Sequence, residues 1–268
     1  MQDIRKLRPE EFPLELLEIP QPPKTLYIRG SLPDNKNIFL AVVGSRNNTT
    51  YGKDVCEKLI RGLSGYNIVI VSGLAMGIDT IAHKTAMANN LKTIAFPGSG
   101  LDNRVIYPKT NAKLADEIVE KGGCLISEFE PNFISTLYSF PQRNRLMAGI
   151  SKAVLIIEAE EKSGTLITAR LALDYNRDVL AVPGSAFSPN SKGTNLLIKQ
   201  GATPVTSSED ILEALGFETT KEEMTEEEKY KDCSKEEILV LNFLKEPIER
   251  DELISMLEMD TAKANALL

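Results

Sequence analysis

A chain of 268 residues, 42% hydrophobic and 26% charged, has room for one large α/β domain and a small appendage. No apolar run reaches the roughly 18–20 residues of a membrane span, and the opening MQDIRKLRPEEF lacks the apolar core of a signal peptide, so a cytoplasmic protein with no membrane partner is expected. The net charge of −7 disfavours nucleic acid only as a total: residues 209–237 hold 12 acidic and 4 basic side chains, and the rest of the chain is left at +1.

In chain order, short and nearly continuous apolar runs at 38–43, 68–71, 93–96, 124–126, 153–157 and 179–182 predict strands buried on both faces of a parallel sheet. Helical patterns lie between them, with Val55, Leu59, Ile60 and Leu63 on one face and Leu166, Ala169 and Leu173 on another. Alternating strands and helices predict an α/β, doubly wound, mostly parallel sheet whose sites gather at the carboxyl ends of the strands.

The loops after those strands carry the chemistry. Gly44, Ser45 and Arg46 follow the first core strand, where glycine allows close backbone approach and arginine can grip phosphate bidentately. Ser72, Gly73 and Gly77 follow the second, ahead of a helix that opens with Asp79 and carries His83. Asp79 is read as favouring the helix dipole, and His83, the only histidine, as a packing residue. AFPGSGLDNRVIYP follows the third strand. Two further helices open close together in sequence, one at FPQRNRLMAGIS (140–151) and one after Lys162, Ser163, Gly164 and Thr165. Helix N-termini present unpaired N–H groups and partial positive charge, which suits them to anions. The set is better suited to holding phosphates than to breaking bonds.

Several chemistries lack their signatures. There is no Gly-x4-Gly-Lys-Ser/Thr loop and no G-x-G-x-x-G fingerprint, which disfavours ATP hydrolysis and NAD chemistry. Cys56, Cys124 and Cys233 are too far apart for a zinc site or a disulfide framework and are read as reduced thiols. No catalytic residue, metal or cofactor is expected.

GSRNNTTYG, VSGLAMGID, FPGSGLD with YP following, SEFEP, FPQRNRLMAGIS, SGTLITARLAL, VPGS and GTNLLIKQGA, in this order, resemble the DNA-processing protein A family, DprA or Smf, from about residue 22 to residue 215. The resemblance implies an extended Rossmann-like core and no enzymatic activity. It also implies single-stranded DNA binding without sequence preference, a homodimer, and delivery of the strand to RecA during natural transformation. It matches Arg46 to the family's loop arginine. With that reading, Arg46, Arg143 and Arg145 are expected on backbone phosphates; if one of them is structural, it is Arg145, one turn deeper. Asn144 would bond a phosphate or a base edge. Phe140 either stacks a base or anchors the helix entry as a core residue, and residues 162–165 form a second phosphate-holding turn.

The expected organisation is a lead-in at 1–30, a DNA-binding core at 31–217, an acidic linker at 218–236, and an incomplete winged-helix-like segment at 237–268. In that segment Ile238, Leu241, Leu244, Leu253 and Leu257 form the apolar pattern. The alternative is a nucleotide-binding enzyme of the phosphoribohydrolase type. Those enzymes carry a glutamate in the helix after a comparable turn, whereas here Thr165 is followed by Leu, Ile, Thr, Ala and Arg, with no acid until Asp174. Glu128 and Glu158, at strand ends, are read as orienting the loop arginines. A nucleotide sensor on the same sheet is the third reading.

Overall fold

A computed structural model describes residues 3–34, 36–218, 233–244, 248–257, 259 and 264. The chain forms two compact units, Met1–Thr219 and Thr220–Leu268. Among the described residues, nine strands make one sheet in the order β1-β2-β6-β5-β4-β3-β7-β8-β9. They are β1 (Arg5–Lys6), β2 (Tyr27–Gly30), β3 (Ile38–Val43), β4 (Ile68–Ser72), β5 (Lys92–Ala95), β6 (Cys124–Ser127), β7 (Ala153–Ile156), β8 (Asp178–Ala181) and β9 (Thr203–Pro204). From β6 to β9 all neighbours are parallel, while β2 runs antiparallel to β6 and β1 antiparallel to β2.

The six predicted strands are the six central ones, β3 to β8. They are continuous apolar runs because helices cover both faces. Phe39, Ala41 and Val43 of β3 face the core shared with α1 (Leu14–Leu17), α5 (Ser139–Ile150), α6 (Thr165–Asp174) and α7 (Lys192–Lys199). The alternate residues Leu40 and Val42 face α2 (Thr50–Arg61), α3 (Ile78–Ala88) and α8 (Ser208–Ala214). The helix α4 (Ala112–Glu120) packs on Ala95 and Leu125. On α6 the buried face is Thr168, Ala169 and Ala172, while Leu173, assigned inward from its spacing, is 58% exposed.

The lead-in is not separate from the core. Residues 5–6 and 27–30 supply β1 and β2, and Arg29 of β2 is buried in an ion pair with Asp116 of α4. In the second unit, α9 (Lys235–Phe243) starts with a capping box, Ser234 Oγ accepting from Glu237 N and Glu237 accepting from Ser234 N. Val240 there is buried with Leu253 and Leu257, the latter two in and just after α10 (Arg250–Met256). Leu241 and Leu244 are exposed, so the inward stripe of α9 lies one position off the expected one. The linker residues 219–232 lie outside the described residues.

His83 on α3 is fully buried. Thr93 Oγ1 donates its single proton to Ile70 O at 2.8 Å, so it must accept from His83 Nδ1 at 2.7 Å, which fixes the neutral Nδ1–H tautomer. Burial, with the Arg143 charge adding, pulls its pKa from 6.5 down to about 3. A depressed histidine pKa gives stability that is complete above the unfolded value and declines as pH drops through 6.5 toward 3. From about pH 7 to pH 5 the decline from this one group is about 2 kcal/mol. Urea titrations of wild type and His83→Gln at both pH values should show the variant gaining relative stability by that amount at the lower pH. A pH-independent difference would contradict a buried neutral histidine.

Candidate nucleic-acid interface

The sheet order reverses direction at β3, whose neighbours β4 and β7 lead to opposite halves, and such a switch point opens a crevice at the carboxyl ends of the strands. A cavity of about 420 Å³ lies there, lined by the β3 loop, the start of α5, and the turn and first residues of α6. It draws on loops from both halves of the sheet.

The β3 loop is fixed from three sides. Thr165 Oγ1 donates to Gly44 O at 3.2 Å, Asn190 Nδ2 to Asn47 O at 3.0 Å, and Ile78 N to Ser45 O at 3.2 Å. Its far end becomes the cap of α2, where Thr49 Oγ1 accepts from Gly52 N at 3.1 Å. The buried Glu158 carboxylate completes that cap, accepting from Thr49 N at 3.0 Å and Thr49 Oγ1 at 2.5 Å. Glu158 therefore serves a helix N-terminus, where negative charge is favoured, rather than orienting a loop arginine.

The β4 loop carries backbone strain. Leu74 holds φ at +60° and Gly77 at +76°; a Cβ on Gly77 would fall 2.3 Å from Ser45 O. Asn111 Nδ2 steadies the loop by donating to Leu74 O, Ala75 O and Thr80 Oγ1 at 2.8–3.2 Å. Asp79 reaches back from α3, its Oδ2 accepting from Gly73 N at 3.1 Å and Ala75 N at 3.3 Å. Ser72 is buried, donating to Val42 O at 2.6 Å, and does not reach the cavity.

The three arginines divide. Arg143 is 5% exposed; its Nη1 donates to the carbonyls of Gly73 and Phe96, and its Nε to Asn144 Oδ1 at 3.1 Å. It thus clamps the β4 and β5 loops while also lining the cavity floor beside Asp79. Burial lowers its pKa to about 10, opposed by the Asp79 charge, and burial raises that of Asp79, opposed by the Arg143 charge. A Cβ on Gly73 would fall 2.3 Å from Arg143 Nη1 and 2.6 Å from Asp79 Oδ2, so only glycine fits between these groups. Arg145 pairs with Glu128 and donates to Gln21 O at 2.8 Å, away from the cavity. Arg46 is exposed on the rim, its guanidinium carbon 5.4 Å from the Phe140 ring centroid.

Of the residues proposed from sequence, Gly44, Ser45, Arg46, Phe140, Arg143, Asn144, Ser163, Gly164 and Thr165 line the cavity; Ser72, Gly73, Arg145 and Lys162 do not. Lys162 is exposed on the turn before α6. Sequence reasoning missed Asn47, Ala75, Asp79, Met147, Glu160 and Thr168 as lining residues. Asn47 and Thr168 were within reach, one in the same loop as Arg46 and the other one turn beyond Thr165.

The profile described as DNA recombination-mediator protein A matches residues 4–216. The chain belongs to that family. It is similar to protein Smf of Escherichia coli, at 44% identity over 208 residues, which are 78% of this chain and 55% of that protein. DNA processing protein DprA of Streptococcus pneumoniae is 44% identical over 206 residues, 77% of this chain and 72% of that protein. The chain thus spans little more than half the length of the E. coli relative. Among solved structures, DNA processing protein A from Streptococcus pneumoniae superposes at a TM-score of 0.74 with 41% identity, covering 81% of this chain and 76% of that one. DNA processing protein A from Helicobacter pylori, a structure concerned with its single-stranded DNA binding mode, superposes at 0.70 with 33% identity, covering 80% and 98%.

Proposed function

We propose that the chain binds single-stranded DNA through the switch-point cavity and acts as a recombination mediator. The observation that carries this reading is the cavity itself. It joins an exposed arginine on a pinned loop, a second, buried arginine in its floor, and the N-terminus of α6 at Ser163–Thr165, in a chain similar over 80% of its length to a relative studied for its single-stranded DNA binding. Arg46 would take a backbone phosphate, with the Ser163–Gly164–Thr165 turn holding the next and Asn144 available to a phosphate or base edge. Lys162, just outside the cavity, would extend the cationic track. Within this reading Arg143 and Gly73 build the floor, and Arg145 and Ser72 support the loops. Asp79 in the cavity floor is committed to two backbone N–H groups, and we assign it no catalytic role.

The wider role we infer is protection of incoming single strands and their delivery to RecA in the cytoplasm during natural transformation, by a homodimer. Two cavities on one dimer would share a strand and raise its affinity through effective concentration.

The test is a fluorescence-anisotropy titration of labelled oligo-dT and a matched duplex across a salt series. Tighter binding of the single strand is expected, weakening with salt by roughly 0.7 log units per log unit for each phosphate neutralised. A folded protein that ignores the single strand, or that prefers the duplex, would overturn the reading.

A further inference from the structure

Phe140, the aromatic side chain that sequence offers for base stacking, is already occupied. Arg46 lies over its ring, and the ring edge presses on Gly98, where a Cβ would fall 2.5 Å from Phe140 Cδ1. Beside it is a smaller depression that shares Arg46, Ala75, Phe140 and Arg143 with the main cavity and adds Gly73, Met76, Tyr107 and Pro108. Tyr107 is 48% exposed and Met76 49%, so both leave apolar surface open to solvent next to the cavity that holds Arg46 and Arg143. The Tyr107 ring meets Phe140 at 5.7 Å between centroids, tilted by 50°, which braces it against the cavity wall.

We propose that this depression is a base-binding subsite for the nucleotide next to the one whose phosphate Arg46 holds, with Tyr107 as the stacking platform and Met76 as the facing wall. The inference rests on the single-strand reading above and deepens it. A flat nucleobase suits a half-exposed ring with a polarizable thioether beside it. The shared wall fixes the order of contacts along the strand: phosphate on Arg46, adjacent base on Tyr107. Stacking of this kind tolerates any base, because every base offers a π face.

The experiment compares oligo-dT with an abasic strand of equal length, for wild type, Tyr107→Ala, Tyr107→Leu and Tyr107→Phe, by anisotropy at several salt concentrations. Tyr107→Ala and Tyr107→Leu should weaken oligo-dT binding by about five- to a hundredfold. They should leave abasic-strand binding and the salt slope as in wild type, and Tyr107→Phe should bind oligo-dT as wild type does. Leucine keeps the bulk without the ring, so its result stands even if alanine disturbs the fold. Equal losses on both strands would make Tyr107 structural and overturn the subsite, as would unchanged oligo-dT binding by a folded leucine variant. Wild type binding neither strand would defeat the single-strand reading and the subsite with it, whereas wild type binding both with indifferent Tyr107 variants would defeat the subsite alone.

Discussion

Arg143→Ala is expected to destabilise the Met1–Thr219 unit by about 3–5 kcal/mol, because each buried carbonyl left without its donor costs about 1–3 kcal/mol and a nearby buried carboxylate left without a cation adds to that. Two loop carbonyls, those of Gly73 and Phe96, lose their donor, and the buried Asp79 loses the cation that offsets its desolvation. Urea unfolding at neutral pH should show a lower midpoint with an unchanged slope. The carboxylate left without its neighbouring cation is part of the cost, so Asp79→Asn made in an Arg143→Met background should recover some stability relative to Arg143→Met alone. An alanine variant within about 1 kcal/mol of wild type would contradict the clamp. In a destabilised Arg143→Ala variant, lost DNA binding would report loop collapse and could not by itself count as a lost phosphate contact.

Arg46→Ala should behave in the opposite way. Its side chain is exposed and its described contact is the cation–π approach to Phe140, a contribution of about 0.5–1 kcal/mol at such sites. Stability should therefore change little. Binding of oligo-dT should fall by roughly ten- to a hundredfold, the effect of losing a charge-assisted hydrogen bond of about 1.5–3 kcal/mol. The salt dependence should become shallower by about 0.7 for the one phosphate released. Anisotropy titrations at three salt concentrations separate the two effects. A variant that binds weakly with the wild-type slope would place Arg46 off the phosphates.

The two arginines stand 97 positions apart, and their difference shows where sequence stopped informing. Six central strands were legible because burial on both faces leaves apolar runs with no polar alternation. β1 and β9 were not, being two residues long with both side chains exposed. β2 was hidden by carrying Arg29, whose charge is neutralised by Asp116, 87 residues away. The loops of the site could be read because glycine and polar residues gather after each strand. The direction in which each arginine points could not, since Arg143 and Arg145 differ only in which carbonyls and carboxylates the fold brings within reach. Glu158 is the same case: its partner Thr49 lies 109 residues back, and without that contact a strand-end acid reads as a free one.

The cavity at the switch point has a consequence for synthesis of the chain. β3 can pair with β4 once residue 72 has emerged, but its other edge stays open until β7 is made, and the cavity wall is unfinished until Thr168 has appeared. Thr165, which ties that wall to Gly44, is likewise a late arrival. A partly made chain on the ribosome therefore presents half a crevice and a central strand with one edge unpaired, and the complete cavity is available only to molecules whose two sheet halves have already joined.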